Sequence, residues 1–366
     1  MKYNWQHLNW PVFNYNIQII HALSLQFAEE AGEVKGILQG LGKELQRETE
    51  LDIMLSEAIK SSEIEGEYIS RQDVMSTLKK NLGMTKAPSN IKDKRASGFA
   101  ELILAVKSSY DKNLTIELIQ EWHKMLMTGN KYIAAGTWRT REEPMQIISG
   151  TIGKEEIHYE APPSSSLPFE MERFVDWYNN FEDIQTGMVQ NALLKSSLAH
   201  LYFETILPFE EGNGRIGRAI AEHALSSAMK RSLLLSISKS IEKNKKQYYM
   251  ALKSAQRKLE VNEWIQYFTQ IILSAQQDAK NVINLTFKKA KLLNLYKEKL
   301  NVRQIKVILK IFEHGHEGFE GGMTAKKYIV ITKCSKASAT RDLQELYKNG
   351  IFYKDGAGRS VRYNLI

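Results

Sequence analysis

The chain has 366 residues, of which 43% are hydrophobic and 25% charged, a balance that excludes a disordered or fibrous protein and leaves room for two or three folding units. A single cysteine, Cys334, excludes an internal disulfide and a multi-cysteine metal centre, and no histidine pair has the spacing of a zinc site. The net charge of +8 is concentrated near the C-terminus, where residues 302–366 carry 12 Lys/Arg against 6 Asp/Glu. No stretch approaches the ~20 uncharged apolar residues of a membrane span. The opening MKYNWQHLNWP has no apolar core of a signal peptide. The expectation is therefore a soluble, cytoplasmic protein with no membrane partner.

In chain order, an aromatic cluster (Trp5, Trp10, Phe13) comes first and reads as the cap of a small helical core. Residues 14–60 read as helices, because apolar residues recur three and four apart (Ile17, Ile20, Leu23, then Leu51, Met54, Leu55, Ile59) with no proline after Pro11. The polar stretch GMTKAPSNIKDK separates these from helices expected at 93–110 and 115–128, the second opened by Thr115 with Glu117 and ended at Gly129. The pattern then changes. Within GTWRTREEPMQIISGTIGKEEIHYEAPP, β-forming Ile147, Ile148, Ile157 and Tyr159 flank glycines 150 and 153, which predicts a hairpin. Helices resume at about 168–181 and 186–206, again after Gly214, and continue to about 298.

The last segment has its own grammar. An amphipathic helix at 302–313, a short one at 324–331 and a third over 335–350, capped by Ser335 and stopped by Gly350, precede a strand pair around a GAG turn. Three helices and a hairpin in this order predict a winged helix-turn-helix. Leu343, Leu346 and Ile351 are expected in its core. Lys336, Ser338, Thr340 and Arg341 on the recognition helix, with Arg359 and Arg362 on the wing, are the residues that would meet DNA. The fold also serves protein contacts, so DNA is one of two partner classes for residues 301–366.

The stretch with the most chemistry is FETILPFEEGNGRIGR. Glycines 212 and 214 free the backbone to turn tightly and present N–H groups, and a helix starting near Asn213 would aim its unpaired donors and positive end at the same place. Arg215 and Arg218 lie three apart on one helix face and can fork onto successive phosphates. Glu211 is placed to hold a divalent cation against those phosphates. The constellation reads as a magnesium–nucleotide site.

This stretch resembles the signature of the Fic (Fido) family, HPFx(D/E)GNGRxxR, with Leu207 at the position of the histidine and every other signature position matched from Pro208 to Arg218. Residues 61–66, SSEIEG, are similar to the family's inhibitory motif (S/T)xxxE(G/N), with Ser61, Glu65 and Gly66 in the matching places. The resemblance implies a mainly α fold: a Fic helical core with a β-hairpin flap, joined, as in some bacterial members, by an N-terminal helical domain and a C-terminal winged helix-turn-helix. It implies domains at 1–92, 93–285 and 301–366 with a helical linker at 286–300. It implies ATP and Mg2+ as cofactors, Glu211 on the metal, the Gly212–Gly214 backbone with Asn213 as an anion nest, Arg215 and Arg218 on the outer phosphates, Phe209 as a core anchor, and an inhibitory Glu65–Arg218 pair. The implied activity is transfer of AMP to a Ser, Thr or Tyr hydroxyl of a target protein docked on the 145–159 flap.

The family's histidine is the general base, and a leucine has no lone pair to take a proton. His200 lies seven residues upstream, two helical turns or roughly 10 Å away, and reads as a locally bonded core histidine. Three readings stay open at this point: an ATP-binding Fic protein with impaired AMP transfer, an active transferase with another base or with an altered residue at 207, and a DNA-binding regulator whose Fic core senses nucleotide.

Overall fold

A computed structural model describes residues 2–85, 91–149, 156–183, 186–296, 298–312, 321–356 and 361–365. The chain is mainly α. Its helices are α1 (His21–Gly40), α2 (Lys43–Ile64), α3 (Arg71–Asn81), α4 (Lys94–Ser108) and α5 (Ile116–Leu126), followed by the strands β1 (Gln146–Ser149) and β2 (Glu156–Glu160). Next come α6 (Leu167–Asn180), α7 (Met188–Ile206), α8 (Asn213–Ala228), α9 (Ile237–Glu242), α10 (Lys245–Ala255) and the long α11 (Asn262–Tyr296). The last elements are α12 (Val302–Phe312), α13 (Ala325–Thr332), α14 (Lys336–Lys348), β3 (Phe352–Asp355) and β4 (Arg362–Leu365). Among the described residues no helix is long and apolar enough to cross a membrane.

Helix starts follow local chemistry. The side-chain oxygens of Ser70, Asp93, Thr115, Ser236, Asn244, Thr324 and Ser335 each accept a backbone N–H of the first turn they precede. Both caps expected from the sequence, Thr115 and Ser335, are among them. β1 and β2 pair antiparallel, with Ile147 opposite Tyr159 and Ser149 opposite Glu156 and a bulge between Ile147 and Ile148.

The chain divides into two compact units, residues 1–32 with 50–279, and residues 33–49 with 280–366. This division differs from the sequence partition at 92, 285 and 300. Helices α1, α2 and α11 each contribute residues to both units, and a continuous helix carries no compositional mark where packing changes hands. The supposed linker at 286–300 is largely the last part of α11.

In the first unit α7 is the central element, buried without interruption from Ala192 to Ile206. Such a helix must take its polar side chains inside with it, and Lys195, His200 and Glu204 are all buried. Burial lowers the Lys195 pKa to about 8, and its ammonium sits 4.4 Å from the Tyr178 ring centroid. The N-terminal aromatics pack here too. Trp10 meets Tyr202 of α7 edge-on at 4.8 Å and Phe13 at 5.6 Å, while Trp5 Nε1 donates to the Glu160 carbonyl on β2. They cover α7 and the hairpin rather than a separate N-terminal core, because α7 is the more apolar partner.

The second unit contains a compact three-helix core closed by the β3–β4 pair, with Met323 joined to Tyr363 by an isolated antiparallel bridge. Leu343, Leu346 and Ile351 are buried, with Val307, Ile308, Tyr328 and Phe352. The buried Asp342 is held by Arg303 through two bonds of 2.8 and 3.1 Å and by the Tyr328 hydroxyl at 2.9 Å. This is the architecture of a winged helix-turn-helix.

Candidate functional site

The turn between α7 and α8 is built from the backbone outward. Leu207 caps α7 in the left-handed conformation (φ 46°, ψ 63°), uncommon for a leucine and worth roughly 1–2 kcal/mol of strain. Arg139, which sequence reasoning missed, holds it there. Its Nε donates to the Leu207 carbonyl at 2.8 Å, and its remaining nitrogens reach the Pro162 carbonyl at 2.6 Å and Ser164 Oγ at 2.9 Å. The Leu207 side chain is 3% exposed, packed with Tyr159 and Ala161 and flanked by Tyr3, Trp5 and Met145.

The loop then folds around Phe209, fully buried and stacked on His123 with ring centroids 3.7 Å apart. His123 is a second residue the sequence did not flag. Its Nδ1 accepts the Gly136 N–H at 2.8 Å, which leaves the proton on Nε2 to be donated to the Glu211 carbonyl at 3.1 Å. Burial lowers its pKa to about 4, so the imidazole is neutral at pH 7. Asn213 closes the loop on itself: Oδ1 accepts the Phe209 N–H at 2.9 Å and Nδ2 donates to the Phe209 carbonyl at 2.7 Å. The side chain expected to line an anion nest is instead the clasp of the loop, since it is buried and both amide atoms are already bonded.

Gly212 precedes α8 at φ 85°, and a Cβ there would stand 2.5 Å from Met127 Cε. The backbone angle favours glycine, and a side chain there would also push the ends of Met127 and Leu126 aside. No side chain caps α8 at this point, so the N–H groups of its first turn, Gly214 among them, are the free donors of a helix N-terminus. They front a cavity of about 810 Å³ whose lining includes Glu65, Leu207, Glu211, Arg215, Ile148 and Tyr249.

Both arginines of the loop are engaged. Arg218 is 1% exposed, and its Nη1 lies 2.8 Å from Glu65 Oε1. The Glu65–Arg218 pair is made through this one nitrogen. The Nε and Nη2 edge is taken by Ser61, through Oγ at 3.0 Å and its carbonyl at 2.9 Å, because Ser61 lies one helical turn before Glu65 and reaches that edge first. Burial opposes the Arg218 charge, and the Glu65 carboxylate more than offsets this, so its pKa is raised. Arg215 pairs with Glu67 at 2.7 Å and with Glu211 at 3.2 Å. Gly66 lies between Glu65 and Glu67 at φ 77°.

Beneath the loop, His200 is fully buried, shares a 2.7 Å hydrogen bond with the Tyr248 hydroxyl and stacks on Phe268. Burial pulls its pKa down to about 3, and it does not substitute for a base at 207. Glu204, one turn before Leu207, is raised to about 8 by burial and the nearby Glu65 charge.

In the second unit Lys336, Thr340, Arg341 and Arg362 are exposed and Ser338 half-buried. The Thr340 hydroxyl donates to the Lys336 carbonyl and Ser338 Oγ accepts from Ser335 Oγ, so both are engaged locally. Arg359 lies outside the described residues, as do 150–155 of the segment expected to form the flap.

Residues 113–225 match the Fic/DOC family, and residues 3–84 match a domain of unknown function, DUF4172. A Fic family protein from Desulfovibrio desulfuricans is 16% identical over 95% of this chain and 97% of its own, with a TM-score of 0.52. A Fic domain containing signaling protein from Bacteroides thetaiotaomicron is 17% identical over 71% of this chain and 97% of its own, with a TM-score of 0.53. No curated protein matches the chain. Residues 113–225, which span the α7–α8 turn, are thus a Fic/DOC family domain, in a chain that has the fold of two solved Fic proteins.

Proposed function

We propose that this chain binds ATP with Mg2+ in the cavity fronted by the first turn of α8, that Glu65 restrains this binding, and that AMP transfer from the bound nucleotide is impaired. The observation that carries the reading is the uncapped, left-handed Gly212 entry to α8 opening on that cavity, with loop arginines beside it held by internal carboxylates. A helix N-terminus and two guanidinium groups form a site for a polyanion, and Glu65 stands in for one of its oxygens. The cavity has room for a nucleotide. Among the described residues no three possible ligands cluster as a metal site. Mg2+ suits such a place, because it commonly takes one or two carboxylates and completes its shell with phosphate oxygens and water. Glu211 is the carboxylate this chain offers, and the ion would neutralise phosphate charge.

AMP transfer requires a hydroxyl oxygen to bond to the α-phosphorus while the bond to the β-phosphate oxygen breaks, and the hydroxyl proton must go to an acceptor. Leu207 provides none, and its side chain is buried among Tyr159 and Ala161. Losing a positioned base lowers a rate by about 10²- to 10⁴-fold. The exposed Ile147, Ile148 and Ile157 of the hairpin support docking of an extended target segment along the flap.

Calorimetric Mg-ATP binding, paired with label transfer from ATP carrying a labelled α-phosphate, tests this on the chain, Leu207→His, Glu65→Gly and their combination. Binding should tighten in Glu65→Gly, and transfer should rise only when Leu207→His is present. Equal transfer with and without Leu207→His would remove the missing-base argument. Absence of binding in Glu65→Gly would remove the nucleotide reading itself.

A second reading concerns residues 301–366. The exposed Lys336, Arg341 and Arg362 make no ion pair among the described residues, which supports contact with DNA phosphates. A duplex-binding assay in which affinity ignores both added salt and Arg341→Ala would rule against it.

A further inference from the structure

The segment that supplies Glu65 supplies a second carboxylate outside the SSEIEG stretch. Glu67 Oε2 lies 2.7 Å from Arg215 Nη1, closer than Glu211 Oε1 on Nη2 at 3.2 Å. Arg215 is 6% exposed and Glu67 28%, so the pair is largely withdrawn from water. The Arg215 Nε finds no partner among the described residues. The charge of this guanidinium is therefore compensated through its two Nη atoms alone.

The end of α2 explains how residues two apart reach arginines three apart. Past Ile64, the Gly66 N–H donates to the Glu63 carbonyl and the Glu67 N–H to the Ser62 carbonyl, both at 3.0 Å, which is the closing pattern of a Schellman turn around a left-handed glycine. The turn reverses the chain after Glu65, leaving Glu65 on Arg218 and bringing Glu67 to Arg215, one turn nearer the start of α8. One glycine sets both pairs.

We infer that Glu67 is a second inhibitory carboxylate, which holds Arg215 against an incoming triphosphate independently of Glu65. This rests on the nucleotide reading above. A polyphosphate that engages both arginines must displace two carboxylates from two guanidinium groups. Removing Glu65 alone takes the carboxylate from Arg218, which keeps its two bonds to Ser61, and leaves Arg215 bound between Glu67 and Glu211.

The test is calorimetric Mg-ATP binding to the full chain, Glu67→Gln, Glu65→Gln and the double variant, with thermal melts to verify folding. Glu67→Gln should tighten binding by about fivefold, and again by about fivefold when added to Glu65→Gln, the size expected for a partly buried ion pair. If Glu65→Gln tightens binding while Glu67→Gln leaves it unchanged or weaker in both backgrounds, the second lock is overturned and the nucleotide site stands. If even the folded double variant binds no Mg-ATP, the nucleotide reading fails and the lock fails with it.

Discussion

The α7–α8 loop and the C-terminal three-helix unit both carry arginines and lysines, and they differ in where those residues find partners. In the loop, Arg215 and Arg218 meet carboxylates and a serine some 150 residues earlier in the chain. Arg139 and His123 reach in from two further segments. In the C-terminal unit, Lys336, Arg341 and Arg362 stand exposed, while Ser338 bonds the Ser335 cap and Thr340 the Lys336 carbonyl of its own helix. A buried charge must be matched by whatever the fold brings to it, whereas an exposed one is matched by water. Charge in the loop is thus matched by the assembled unit, and in the C-terminal helix it is left to water.

The largest expected contrast is in pH dependence. His123 and His223 are depressed to about 4 and His200 to about 3 by burial, so below pH 6.5 the unfolded chain binds protons that the folded one refuses. Stability of the first unit should fall as pH drops from 6.5 toward 4, by roughly 2–3 kcal/mol per histidine, as read by denaturant melts over a pH series. Glu204 acts with the opposite sign. Its carboxyl, raised to about 8, penalises the fold as pH rises from 4.5 toward 8, and Glu204→Gln should flatten that limb. A pH-independent melt between 4 and 6.5 would mean that these histidines are solvated.

Next in size is Phe209→Ala, which removes a fully buried ring stacked on His123 and should cost about 3–5 kcal/mol. Asn213→Ala should cost about 1–3 kcal/mol, because the buried Phe209 N–H and carbonyl both lose their partner. The smallest effect belongs to the other region: Lys336→Ala should change the melting free energy by no more than about 0.5 kcal/mol. If Asn213→Ala proved as mild as Lys336→Ala, the contrast between assembled loop and open surface would collapse.

Much of the architecture was legible in the order of residues. The caps at Thr115 and Ser335, the hairpin around Ile147 and Tyr159, and the core positions Leu343, Leu346 and Ile351 follow from local propensity and periodicity, which act over a few residues. The GNGRxxR stretch marked the loop because a left-handed glycine before a helix is a local device. Other features gave no such signal. Arg139 sits in TWRTREEP, where nothing distinguishes a buried arginine from the solvated ones beside it. His123 reads as an ordinary helix residue, and Asn213 read as part of an anion nest before its two bonds to Phe209 assigned it to the loop.

The sequence by itself determined the glycine-rich backbone of the α7–α8 loop, the absence of an imidazole at position 207 and the presence of a carboxylate-bearing SSEIEG segment. Tertiary structure decided the pairings: that Ser61 takes one edge of Arg218 and Glu65 its end, that Glu67 sits on Arg215, and that Leu207 lies in an apolar cluster with Tyr159. The physical reason is range. Dihedral preferences and capping bonds are settled within a helical turn, while a buried ion pair forms only after packing has brought two distant segments together and excluded the water that would otherwise satisfy them.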